Sequence, residues 1–84
     1  MILNKSGIFE INARNLLCPL PVIRVQDAIK TLPSFTKVKV IATDPGVKYD
    51  IPAWCKVHGH SILSIDNVER EIVILIQVGE RHER

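Results

Sequence analysis

Along residues 8–13, IFEINA, the apolar side chains of Phe9, Ile11 and Ala13 alternate with Glu10 and Asn12, the period of a strand with one buried face. A helical spacing follows. Val22, Val25, Ile29 and Leu32 recur at intervals of three and four, and Pro33 closes the run near Leu32. Residues 37–43, KVKVIAT, return to alternation, with Val38, Val40 and Ala42 inward and the two lysines outward. Asp44-Pro45-Gly46 punctuates, and Val47, Ile51, Trp54 and His58 then form a second helical stripe ended by Gly59. Pro52 fits most easily in a first turn, which places the start of regular helix near Asp50. Ser61 to Ile65 and Glu71 to Val78 read as strands joined through residues 66–70 in an antiparallel hairpin. In the last strand Ile72, Ile74, Ile76 and Val78 share one face, while Val73 and Leu75 share the other. Apolar residues on both sides mark a central strand, or one whose open face meets a partner.

The order strand, helix, strand, helix, strand, strand predicts an α/β (α+β) two-layer sandwich: a four-stranded mixed sheet with both helices on one face. A right-handed crossover carries the first helix if the first two strands are parallel neighbours. Eighty-four residues make one domain, 1–84, with an ordered core over about 8–79 and a charged tail, ERHER, at 80–84. A chain of this mass buries only roughly 60% of its open-chain surface, enough for one thin core and too little for a deep enclosed site. Any chemistry must therefore sit near the surface.

No apolar run approaches the ~20 residues of a membrane span. The start, MILNKSGIFE, lacks the basic, apolar and small-residue regions of a secretory signal, so cytoplasm is the expected location and its two cysteines are expected as thiols. The net charge of +2 is unevenly placed. Residues 1–42 carry six basic and two acidic side chains, whereas residues 43–84 carry five basic and seven acidic ones, so a mildly positive field is expected around the first half. With four aromatics and no basic run, direct nucleic-acid binding is not expected.

The most informative tetrad is Cys18-Pro19-Leu20-Pro21, at the junction between the first strand and the first helix. A residue before proline favours extended geometry and Pro19 suits a first helical position, so Cys18 reads as the helix N-cap. There a thiolate faces the positive end of the helix dipole, which lowers a cysteine pKa, and the amides of Leu20 and Val22 are free to point at the sulfur or at an anion attached to it. Arg14 offers a fixed positive charge nearby, and Asn15 readily adopts a left-handed turn. The alternative is a small buried cysteine whose prolines merely start a helix.

The segment Ile11 to Leu32, INARNLLCPLPVIRVQDAIKTL, resembles the amino-terminal signature of the TusA/SirA-like small sulfur carriers. Ile41 to Leu63, IATDPGVKYDIPAWCKVHGHSIL, is similar to the family's Asp-Pro, Asp-Ile-Pro and Gly-His segments. The resemblance implies a two-layer sandwich and a role for Cys18 as the sulfur-bearing cysteine, loaded as a persulfide by a cysteine desulfurase or rhodanese-like donor and relayed to another protein's cysteine. Possible outlets include tRNA thiolation and sulfur oxidation, and the carrier is expected to be a monomer with no metal or organic cofactor. Asn12 stands where the family commonly has an acidic residue, Asn15 where it has glycine, and Leu20 where the tRNA-thiolating branch often has glutamate.

A second constellation, Cys55, His58 and His60, has the spacing C-x-x-H-x-H. Three ligands without a neighbouring carboxylate make a weak metal signal, and the segment's need to pack on the sheet favours a core cysteine. Asp44 and Asp50 read as turn and helix-start residues; with Lys48 and Lys56 they could also form a charged rim facing a partner. Ile41, Val73 and Leu75 offer a rival reading, a non-catalytic interaction or regulatory module using the open face of the sheet.

Overall fold

The computed structural model describes residues 2–3 and 7–80. The basic and acidic tail residues 81–84 lie outside the described residues. The four expected strands are β2 (Ile8–Ala13), β3 (Lys37–Ala42), β4 (Ser61–Val68) and β5 (Glu71–Gln77), and a two-residue strand β1 (Ile2–Leu3) adds a fifth at the edge. Helices α1 (Leu20–Ile29) and α2 (Val47–His58) complete the order. The sheet runs β1-β2-β3-β5-β4, with β2 and β3 parallel and every other pairing antiparallel.

Strand alternation sends Ile11, Ala13, Val38, Val40, Ala42, Ile72, Ile74 and Ile76 to one face. There they pack with Val25, Ala28 and Ile29 of α1 and Val47, Ile51 and Cys55 of α2 in a single buried cluster. Both helices therefore cover the same face, and the fold is the expected two-layer sandwich. Among the described residues no helix is long and apolar enough to cross a membrane.

Several boundaries differ from the sequence reading for local reasons. Helix α1 ends at Ile29, and Thr31 and Leu32 continue it only as tighter turns, with Leu32 N–H donating to the Ile29 carbonyl at 3.1 Å. Pro33 disfavours helical geometry at the residue before it, so the last turn tightens. Helix α2 begins at Val47 rather than near Asp50, leaving Pro52 inside it. Its buried stripe is Val47, Ile51 and Cys55, at a spacing of four; Trp54 is half-buried and His58 exposed, and Val57 faces solvent. Strand β4 extends through the polar Asp66 and Asn67, because an edge strand with one open face tolerates them. The hairpin shrinks to Glu69-Arg70, with Glu69 at φ 58, the handedness that suits twisted hairpin strands.

The exit from α2 explains two glycines. Gly59 takes φ 80 to close the helix, and its carbonyl would lie 1.9 Å from a Cβ placed on Gly79. Only glycine at 79 lets the end of β5 pass so close. The Gly79 N–H then donates to His60 Nδ1 at 2.9 Å.

Candidate functional site

Cys18 lies between β2 and α1, beneath the loop that joins β3 to α2. Parallel pairing of β2 and β3 brings their carboxyl ends side by side, so the segments leaving them, residues 14–19 and 43–46, meet at one end of the sheet. Two bonds tie them. Asn15, at φ 64 as its residue type favours, donates its N–H to Thr43 Oγ1 at 2.9 Å. The Cys18 N–H donates to Asp44 Oδ2 at 2.9 Å, and the Gly46 N–H donates to Asp44 Oδ1 at 3.2 Å.

The Asp44 carboxylate is thus fixed from both sides, directly beside the sulfur. Cys18 Sγ would sit 3.2 Å from a Cβ on Gly46, a point that both Asp44 oxygens approach to 3.7 Å. Gly46 supplies room for the thiol, a role the sequence reading missed. Its only signal was a glycine at the start of α2, since the sulfur it accommodates belongs to a distant part of the chain.

The electrostatics reverse one expectation. Cys18 is not the N-cap of α1: Pro19 holds that place, at φ −94 and ψ 12, and the Cys18–Pro19 peptide bond is cis. The Leu20 N–H, expected to face the sulfur, donates instead to the Leu17 carbonyl at 2.9 Å. The carboxylates of Asp44 first and Asp50 second, as acceptors for the one thiol proton, and partial burial push the Cys18 pKa up to about 12, where a lowered value was expected. The same thiol bond, with the Cys18 and Gly46 amides, holds Asp44 below the usual carboxylate range.

Arg14 is also directed elsewhere. Its Nε donates to Glu71 Oε2 at 2.5 Å and its Nη2 to Glu71 Oε1 at 3.3 Å, a two-pronged pair that lifts the guanidinium pKa and lowers that of Glu71. Arg14 also donates to Asn12 Oδ1, so it does not place its charge on Cys18 as expected. Of the four residues in the expected charged rim, Asp44 and Asp50 join the thiol; Lys48 and Lys56, both on α2, are not among the groups acting on it. Pro21 is buried under the start of α1, and Val22 is half-buried against the core.

On the side of α1, away from Asp44, the neighbourhood of Cys18 exposes apolar side chains. Leu17 is 73% exposed, Leu20 50% and Ile23 46%, and Leu16, Leu20 and Ile23 with Arg24 and Asp27 line a shallow hollow of about 330 Å³. A larger hollow of about 480 Å³, between Phe9, Leu32 and Phe35, lies at the opposite ends of β2 and β3 and has no cysteine in its lining.

The second thiol has different surroundings. Cys55 is fully buried in the core, and desolvation raises its pKa to about 11. His58 and His60 instead lie against Trp54, with ring centroids 4.7 and 5.2 Å away, and the His60 Nδ1 accepts the Gly79 bond. Among the described residues no group of three or more His, Cys, Asp or Glu side chains is arranged to hold a metal ion. On the open sheet face Ile41 is only 5% exposed, between the Arg14–Glu71 pair and the Lys39–Glu10 pair, which leaves Val73 and Leu75 half-buried.

Comparison with known proteins identifies the family and the fold. The family described as sulfurtransferase TusA matches residues 9–78. The sulfur carrier protein TusA of Pseudomonas syringae is 40% identical over 55 residues, 66% of each chain. That of Pseudomonas putida is 40% identical over 53 residues, 63% of this chain and 66% of the relative. The matched segment thus spans about two thirds of these relatives' length. A crystal structure of a SirA-like protein from Desulfitobacterium hafniense superimposes with a TM-score of 0.73 at 23% identity, covering 87% of this chain and 99% of that one, and shares the fold. With the family match running from the first core strand through the last, the chain belongs to the TusA sulfurtransferase family.

Proposed function

We propose that this protein is a cytoplasmic sulfur carrier in which Cys18 holds sulfane sulfur as a persulfide. A cysteine desulfurase or rhodanese-like donor supplies the sulfur, and a cysteine of an acceptor protein removes it. The observation that carries this reading is the position of Cys18, at a surface junction and ringed by exposed Leu17 and Leu20, in a chain of this family. A carrier must show one sulfur to two partners in turn, and an enclosed pocket would prevent that.

The transfer balances without an external oxidant or reductant. Cys18 sulfur attacks the outer sulfur of a donor persulfide R–S–SH, a new S–S bond forms, and the donor's own S–S bond breaks. The Cys18 proton ends on the departing donor thiolate, so Cys18–SH and R–S–SH become Cys18–S–SH and R–SH. Release to an acceptor thiol repeats the exchange. The exposed leucines and the adjoining hollow give donor and acceptor an apolar footing beside the sulfur. Formation of 2-thiouridine in tRNA or sulfur oxidation would be its outlets, and the carrier would work as a monomer.

Incubation with a cysteine desulfurase and cysteine, followed by intact mass measurement, tests the reading. One added sulfur atom, removable by reductant and absent from Cys18→Ser, is expected. No adduct on the wild-type chain overturns it.

A further inference from the structure

Resting on Cys18 as the sulfur-bearing residue, the site also holds information about when that residue is reactive. Asp44 cannot swing away from the sulfur, because its two oxygens are pinned by the backbone N–H groups of Cys18 and Gly46 at 2.9 and 3.2 Å. A carboxylate so held can accept a proton donated by the thiol, but it repels a thiolate at the same place. Asp50, in the first turn of α2, adds a second carboxylate.

Among the described residues no cation is found acting on the thiol to offset them. Arg14 is taken by Glu71 and Asn12, and Arg24 donates to the Asn12 carbonyl at 3.5 Å. Lys48, in the same first turn as Asp50, is not among the groups acting on the thiol. The first-turn dipole of α2, which would favour an anion, is already met by Asp44 and Asp50.

We propose that Asp44, seconded by Asp50, keeps unloaded Cys18 as a protonated and weakly nucleophilic thiol, so that the reactive anion belongs to the loaded form of the carrier. The chemistry of loading supplies the difference. A persulfide is intrinsically more acidic than a thiol, and its charge rests on the outer sulfur, one S–S bond of about 2.05 Å farther out than the sulfur Asp44 touches. The loaded inner sulfur carries no proton to donate, so the bond to Asp44 is lost and the carboxylate's repulsion favours an outer sulfur turned toward solvent. The unloaded carrier is slow toward stray disulfides and electrophiles and is loaded by a docked donor whose departing thiolate takes the Cys18 proton, whereas the loaded one presents an anion to its acceptor. The upward shift of the Cys18 pKa to about 12 agrees with this division.

The test is the pH dependence of iodoacetamide alkylation at Cys18, read on the Cys18 peptide by mass spectrometry, in wild type, Asp44→Asn and Asp50→Asn. Each pKa unit of lowering gives tenfold more thiolate, but the weaker base is about threefold less nucleophilic, so the net gain is about threefold per unit. Wild type is expected to inflect well above pH 9. Asp44→Asn should shift the inflection down by at least one unit and raise alkylation at pH 7.5 at least threefold, and Asp50→Asn should move it less in the same direction. Asp44 also holds two backbone amides, so circular dichroism checks its fold; Asp50→Asn leaves those bonds intact and decides the matter if Asp44→Asn unfolds. A wild-type inflection at the ordinary cysteine value overturns the proposal, as does no downward shift in Asp50→Asn or in folded Asp44→Asn. Sulfur uptake from a desulfurase is scored separately: a normal uptake with unmoved inflections removes this control and keeps the carrier, while shifted inflections without wild-type uptake do the reverse.

Discussion

Cys18 and Cys55 both have pKa values raised above that of an ordinary thiol, to about 12 and about 11, and the causes are opposite in kind. At Cys55 the cause is the absence of water, in a pocket shared with Val47, Ile51 and the sheet. At Cys18 it is the presence of carboxylates, at a sulfur solvent still reaches. Desolvation is a property of the core and changes only if the core does. A carboxylate beside an accessible thiol is a local arrangement that loading, docking or one substitution can alter. Similar acidities thus conceal one thiol closed off in the core and one that solvent reaches.

Exchange of the two thiols gives the largest separation. Cys18→Ser is expected to abolish sulfur uptake while leaving the melting temperature nearly unchanged, because the side chain is half-exposed. Cys55→Ser should keep uptake but bury a hydroxyl without a partner. That costs about 1–3 kcal/mol, and a domain of this size loses roughly 4–8 °C per kcal/mol. Uptake assays and thermal melts on the two variants check both halves.

Gly46→Ala should act on one thiol only. Its Cβ would meet Cys18 Sγ at 3.2 Å, so the sulfur must shift, and a severalfold slower uptake with a change of only a few degrees in melting temperature is expected. An unchanged uptake rate would show that the sulfur has more room than the geometry gives it.

The contrast was only partly legible in the sequence. Alternation in residues 8–13 and 37–43 and the helical run from Val22 to Ile29 follow from burial on one side, which a linear pattern records directly. Asn15 was equally readable, because a left-handed turn is local, whereas Cys-Pro-Leu-Pro suggested a cap one residue too early, at Cys18 rather than Pro19. Asp44 was not readable. In sequence it is a turn residue before Pro45, and its action on Cys18 exists only because β2 and β3 pair in parallel and bring two loops together. Local reasoning offered a helix dipole and Arg14, both favouring a thiolate, and long-range pairing gave Arg14 to Glu71 and the sulfur to Asp44. Asp66 and Asn67 mislead for a related reason: they look like a loop, yet they pair with Val73 and Ile72 on an open edge.

Alkaline titration offers a finer distinction. For each cysteine the folded pKa exceeds the unfolded value near 9, so between those values the unfolded chain has lost a proton that the native chain keeps, and stability falls as pH rises. The contribution is complete below pH 9 and is lost by about pH 11 for Cys55 and about pH 12 for Cys18. Denaturant melts from pH 8 to 11 should therefore slope downward. Asp44→Asn should flatten the part due to Cys18, and no surface carboxylate substitution should alter the part due to Cys55. At the acid end Asp44 and Glu71 behave in the opposite sense: their lowered values give stability present at neutral pH and lost as pH falls below about 4.

The smallest effect is expected away from both thiols. Leu75→Asp places a charge on the open face of the sheet, where the side chain is half-buried, and should lower the melting temperature slightly without changing sulfur uptake. Loss of function in this variant, with function kept in Cys18→Ser, would favour an interaction module over a carrier.

The most direct test of the central claim is the location of the transferred sulfur. After loading by a desulfurase, the protein is digested without reductant and the added sulfur assigned by peptide mass. Sulfur confined to the peptide containing Cys18, with Cys55 unmodified, is the predicted result; sulfur on Cys55, or equal loading of Cys18→Ser, would contradict it.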